Sequence, residues 1–143
     1  MIAYTGSLDG ITPQRLTGFF VDWPHPPPPE VHLRLLAGSD FIVLAIDEES
    51  RQVVGYVTAL TDGVLSAFIP LLEVIPAYQG QGIGQQLMRQ MLARLAHLPN
   101  VDLGCDPDLV PFYERFGMHA GTSMMLRRPM ARLAITGAGE EVA

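Results

Sequence analysis

Apolar and polar positions along this chain fall into segments of two different periods. Between Thr12 and Asp22, Leu16, Phe19 and Phe20 recur at helical spacing and predict a first amphipathic helix. The run Trp23-Pro24-His25-Pro26-Pro27-Pro28-Pro29 ends it, because proline lacks an N–H donor and restrains the residue before it. Glu30 to Ala37 predicts a second helix with Val31, Leu35 and Leu36 inward. Phe41 to Ile46 reads as a strand, Asp47-Glu48-Glu49-Ser50 as a polar turn, and Gln52 to Leu60 as the hairpin partner. After Thr61-Asp62-Gly63, the apolar run from Val64 to Ile75 predicts one strand buried on both faces, ending at Pro76. Ile83, Leu87, Met91 and Leu95, flanked by Gly84, Met88 and Leu92, predict a helix from about Gly82 to Leu98. Val101 to Cys105 reads as a short strand, Pro107 to Phe116 as a proline-opened helix, and Met118 to Arg128 as a final strand. This order predicts an α/β domain, a mixed sheet with helices on both faces.

Composition narrows the picture. The chain has 143 residues, 48% hydrophobic and 17% charged, which predicts one globular domain over 1–143. Its core is expected at about 2–128, with the Gly/Ala-rich stretch 129–143 as a flexible tail. No apolar run approaches the roughly 20 residues that span a bilayer. The start, MIAYTGSLDG, lacks the basic stretch and apolar core of a secretory signal, so a cytoplasmic location is expected. The single cysteine, Cys105, excludes an internal disulfide. His25, His32, His97 and His119 are scattered without ligand spacing, so no metal site is expected. The net charge is −6 and every basic residue is arginine. Such a balance disfavours nucleic acid and anionic membranes as partners and is compatible with a cationic small substrate.

The informative stretch is Leu71-Leu72-Glu73-Val74-Ile75-Pro76-Ala77-Tyr78-Gln79-Gly80-Gln81-Gly82-Ile83-Gly84, where a strand passes through a glycine-rich turn directly into an amphipathic helix. The first turn of a helix leaves backbone N–H groups without partners at the positive end of its dipole. Glycines there let the backbone approach an anion closely, so the segment predicts a phosphate cradle. It is not a P-loop, since no Gly-Lys-Ser/Thr follows. Gly80, Gly82 and Gly84 do not supply Gly-x-Gly-x-x-Gly, and the early strand with an acidic residue about twenty positions on is missing.

Gln79-Gly80-Gln81-Gly82-Ile83-Gly84 does resemble the Gln/Arg-x-x-Gly-x-Gly/Ala signature of the GNAT superfamily of N-acetyltransferases. Downstream, Phe112-Tyr113-Glu114-Arg115-Phe116-Gly117-Met118 resembles that family's second signature, Phe-Tyr-x-x-x-Gly-Phe, with methionine in the last place. The resemblance implies a mostly antiparallel central sheet with helices on both faces, and acetyl-CoA as co-substrate. It implies that N–H groups from Gln79 through Gly80, Gln81, Gly82, Ile83 and Gly84 to Gln85 bind the coenzyme A pyrophosphate. It implies that Leu72, Val74 and Ile75 pair with the pantetheine arm, and that Tyr113 lies at the sulfur and protonates the departing thiolate. The acceptor would be a primary amine of a small molecule or peptide, and a homodimer is left open. One position departs from the family, where asparagine is common ahead of the Phe–Tyr pair and this chain has Asp106.

Glu73 is the only acid in the apolar run, and a buried carboxylate must be partnered, solvated or functional. Burial raises a carboxyl pKa, which suits a base drawing a proton from an ammonium acceptor; the alternative is a residue facing a wet cleft. Tyr113 has its own plain alternative, packing beside Phe112 and Phe116. Cys105 reads as a core thiol rather than a nucleophile. Two functions therefore remain: an N-acetyltransferase that works by direct attack with Glu73 and Tyr113, and a non-catalytic coenzyme A-binding module.

Overall fold

The computed structural model describes residues 1–129. In chain order its elements are β1 (Ile2–Thr5), α1 (Pro29–Ala37), β2 (Phe41–Asp47), β3 (Val53–Thr61), β4 (Ser66–Ile69), β5 (Leu72–Val74), α2 (Ile83–Arg94), β6 (Asn100–Leu103) and α3 (Val110–Glu114). They build a six-stranded sheet of order β1-β2-β3-β4-β6, with β5 paired to β3 beside β4. All pairings are antiparallel except β4 with β6.

Each face of the sheet has its own apolar layer. On one face Val43, Val57 and Ala59 meet Leu87, Met88 and Met91 of α2. Those three α2 side chains are fully buried, and burying such a side chain stabilises by about 1.5–3 kcal/mol. Gly55 lets α2 settle there, since a Cβ on it would stand 3.0 Å from Leu87 Cδ1 and 3.3 Å from the Glu73 carbonyl oxygen. On the other face Leu44 and Tyr56 pack against Leu16 and Leu36 of the α1 layer. Among the described residues no helix is long and apolar enough to cross a membrane.

The long strand predicted over 64–75 is two strands. Between them, the pairing with β3 shifts by one residue: Leu60 faces Phe68, but Val57 faces Leu72. Pro70 sits in the break, where it has no N–H to give to a ladder. Nor is the run buried throughout, because Val64 is 79% and Phe68 47% exposed. The helix predicted over 12–22 reduces to a single 3-10 turn, Pro13–Leu16. Gly18, Phe20 and Asp22 all take left-handed φ values there, which no right-handed helix accommodates, yet Leu16 and Phe20 still reach the core. The strand predicted over 118–128 is absent among the described residues, and Met124, Met125 and Leu126 are exposed. Gly121 interrupts that stretch, and a glycine inside a strand weakens it. Sequence periodicity also passed over β1. The predicted tail lies outside the described residues from 130 on.

Candidate active site

The break between β4 and β5 creates the site. β6 follows β4 in parallel from Ser66↔Asn100 to Ile69↔Leu103 and pairs no further. β5 runs on, with β3 on its inner side and, among the described residues, no strand on its outer side. The Thr58 N–H donates to the Leu71 carbonyl at 3.1 Å and the Ile75 N–H to the Val54 carbonyl at 2.9 Å. By the alternation of an antiparallel ladder, the backbone groups of Leu72 and Val74 therefore point outward, into the gap beside β6. The Ile75 N–H is committed to β3. Gln79 reaches back to this edge, its Nε2 donating to the Val74 carbonyl at 2.9 Å.

Past β5 the chain makes a 3-10 turn, Pro76–Tyr78, closed by the Gln79 N–H on the Pro76 carbonyl at 3.2 Å. The Tyr78 hydroxyl donates to Asp47 at the end of β2 and so braces the turn. Gly80 and Gly82 follow with φ of 80° and 81°, a conformation that glycine adopts without cost. Nothing lies within 4 Å of where a Cβ on either would stand. The first bond of α2 runs from the Gln86 N–H to the Gly82 carbonyl at 3.1 Å. The N–H groups of Ile83, Gly84 and Gln85 therefore precede the helical ladder and have no partner within it. No acidic residue occupies the first turn of α2. Free donors, open space and an absent competing carboxylate fit a diphosphate at this end of α2.

The second motif packs on the first. Phe112 Cζ would meet a Cβ on Gly84 at 3.8 Å, as would Val74 Cγ2. Arg115 lies over the Phe112 ring at 5.1 Å and donates to Gln85 Oε1 at 3.3 Å. Tyr113, half-buried, packs edge-on to Phe112 against the α2 layer. Burial holds its phenol above the ordinary value, and Cys105 adds to the effect, so the hydroxyl stays protonated. Cys105 itself is exposed, not a core thiol. Arg89 stands on the exposed face of α2.

Glu73 faces the opposite side of the sheet. Across the ladder it stands beside Tyr56, whose hydroxyl donates to Glu73 Oε1 at 3.3 Å. Glu73 Oε2 accepts the Phe20 N–H at 2.8 Å and the Val21 N–H at 3.4 Å. Burial pushes the carboxyl above the usual range, and these three donors act against it. The candidate site thus joins the glycine turn, the β5 edge and the second motif, with Tyr113 in the α2 layer and Glu73 on the opposite face of the sheet. Tyr56 and the loop at 17–23 carry no motif and were not foreseen. A phenol inside the apolar run of β3 was the one available signal. Among the described residues no group of three or more His, Cys, Asp or Glu could hold a metal ion.

Comparison with known proteins agrees with this fold. Residues 8–118 match the acetyltransferase (GNAT) family. A crystal structure of a candidate acetyltransferase from Deinococcus radiodurans R1 is 45% identical, with a TM-score of 0.87 over 99% of this chain and 94% of that one. The uncharacterized N-acetyltransferase ycf52 of Porphyra purpurea is 29% identical over 68% of this chain and 58% of its own length. Serotonin N-acetyltransferase of Macaca mulatta is 36% identical over 56% of this chain and 41% of its own. The chain thus spans less than two thirds of these curated relatives. The fold recurs, at 22% identity and a TM-score of 0.59, in Arabidopsis thaliana Naa50 bound to the bisubstrate analogue CoA-Ac-MVNAL, covering 81% of this chain and 82% of that one. The chain belongs to the acetyltransferase (GNAT) family.

Proposed function

We propose that this protein transfers an acetyl group from acetyl-CoA to a primary amine by direct attack. One observation carries the reading: beside β5, whose outer edge no strand covers among the described residues, the glycine turn leaves the start of α2 open, with Tyr113 packed in the α2 layer and Glu73 on the other face of the sheet. Gly80, Gln81, Gly82, Ile83, Gly84 and Gln85 would hold the pyrophosphate, and Leu72 and Val74 would pair with the pantetheine arm. The co-substrate supplies an acyl group activated as a thioester. Glu73 takes one proton from the acceptor's ammonium, which frees the lone pair for attack on the acyl carbon. Tyr113 gives its proton to sulfur as the carbon–sulfur bond breaks; the nitrogen sheds its second proton, which through solvent restores the phenol, and Glu73 releases the first proton to solvent. An amine acceptor is supported by the names of the relatives, one acting on serotonin and one captured with a peptide-bearing analogue.

Glu73→Gln keeps the shape and removes the base. With one active amine, the rate of this variant should fall at neutral pH and recover in part at high pH, where more acceptor is already neutral. A raised KM with an intact kcat would mean that Glu73 only attracts a cation. An unchanged pH–rate profile would remove Glu73 from the reaction.

A further inference from the structure

The loop over Glu73 has an unusual backbone. Phe20 and Asp22 are not glycine, yet their φ values are 61° and 67°. Left-handed backbone at such residues is unfavourable and persists only where the surroundings enforce it. Here it turns two successive N–H groups, of Phe20 and Val21, onto one carboxylate oxygen. Successive N–H groups in such a turn form an anion nest. The other oxygen is held by Tyr56, which is fully buried and wedged among Phe19, Phe20 and His32, the nearest ring centroid standing 4.5 Å away. Close packing on the ring restrains the place of its hydroxyl oxygen.

We propose that Tyr56 is a positioning residue for the reaction, which fixes Glu73 between its own hydroxyl and the strained 20–21 backbone and sets the pH at which Glu73 accepts the acceptor's proton. The inference rests on Glu73 as the base. The titratable groups around the carboxylate are few. Tyr56 comes from β3, and burial and the Glu73 charge both keep its phenol protonated. His32 comes from α1 and stands behind Tyr56, with neither ring nitrogen hydrogen-bonded. Asp22 follows Val21 in the loop and is exposed. Neutral dipoles alone hold Glu73 oxygens, so removing one of them raises the carboxyl pKa.

The test is Tyr56→Phe, which deletes the hydroxyl and keeps the ring. The Glu73 carboxyl carbon is titrated by 13C NMR, assigned by comparison with Glu73→Gln, and the pH–rate profile is measured with one active amine. Both the NMR midpoint and the acidic limb of the profile should move up together, by roughly one unit for one lost hydrogen bond to a charged group. His32→Leu alters the same packed cluster without touching the hydroxyl and should move neither. An unmoved NMR midpoint in Tyr56→Phe overturns the assignment, as does an equal shift in His32→Leu. A shifted midpoint with an unmoved rate limb shows instead that Glu73 is not the base, and removes Tyr56 from the reaction with it.

Discussion

Tyr113 and His32 are both held in one protonation state by burial, with opposite consequences. Burial favours the neutral phenol of Tyr113 and so keeps its proton in place, as the proposed acid requires. Tyr113→Phe removes only that proton; turnover should fall by roughly a hundred- to ten-thousand-fold, with coenzyme A affinity little changed in a titration. Full turnover with chemistry shown to be rate-limiting would exclude Tyr113 as the acid. For His32, burial lowers the pKa from 6.5 to about 4. The folded state therefore gains stability from neutral His32 above pH 6.5, and loses it as pH falls towards about 4. Denaturation midpoints for wild type and His32→Leu should diverge over that window, wild type losing ground as the buffer is acidified. Parallel curves would mean that the ring charges without penalty.

At the scale of elements, the glycine turn and α2 form the cradle as one unit. Gly82 is the N-cap of α2 with φ of 81°. A valine there is strained, but its side chain meets no protein atom, since nothing lies within 4 Å of the Cβ position. Gly82→Val should therefore stay folded while coenzyme A affinity, measured by calorimetry, drops by more than about tenfold, because only the ligand competes for that space. Unchanged affinity in the folded variant would move the diphosphate elsewhere. Much of this unit was legible in the sequence, where a glycine-rich turn between a strand and an apolar helical stripe has few other meanings. The β4–β5 break was written there too, as Pro70 inside an apolar run, but the run's hydrophobicity masked it. The loop at 17–23 was not legible. Its apolar residues keep helical spacing while Gly18, Phe20 and Asp22 leave the helical conformation, and only contact with Glu73 and Tyr56 explains why.

Across the described residues, two apolar layers hold one sheet, and the sheet opens between β4 and β5. The α2 layer carries the cradle and Tyr113; the α1 layer carries Tyr56 and the loop that holds Glu73. In the proposed reaction the acid, Tyr113, would come from one layer and the base, Glu73, from the other face of the sheet. That division of labour is the difference between an enzyme and a protein that merely holds coenzyme A, and the most direct measurement of it is thiol release. Acetyl-CoA is incubated with the protein and, in turn, polyamines, amino acids, arylalkylamines and peptides with free amino termini, and free coenzyme A is followed with a thiol reagent. The account predicts saturable, amine-dependent release with at least one of these classes, matched mole for mole by acetylated amine. Tight coenzyme A binding with no amine-dependent release in any class would contradict it and leave a binding module.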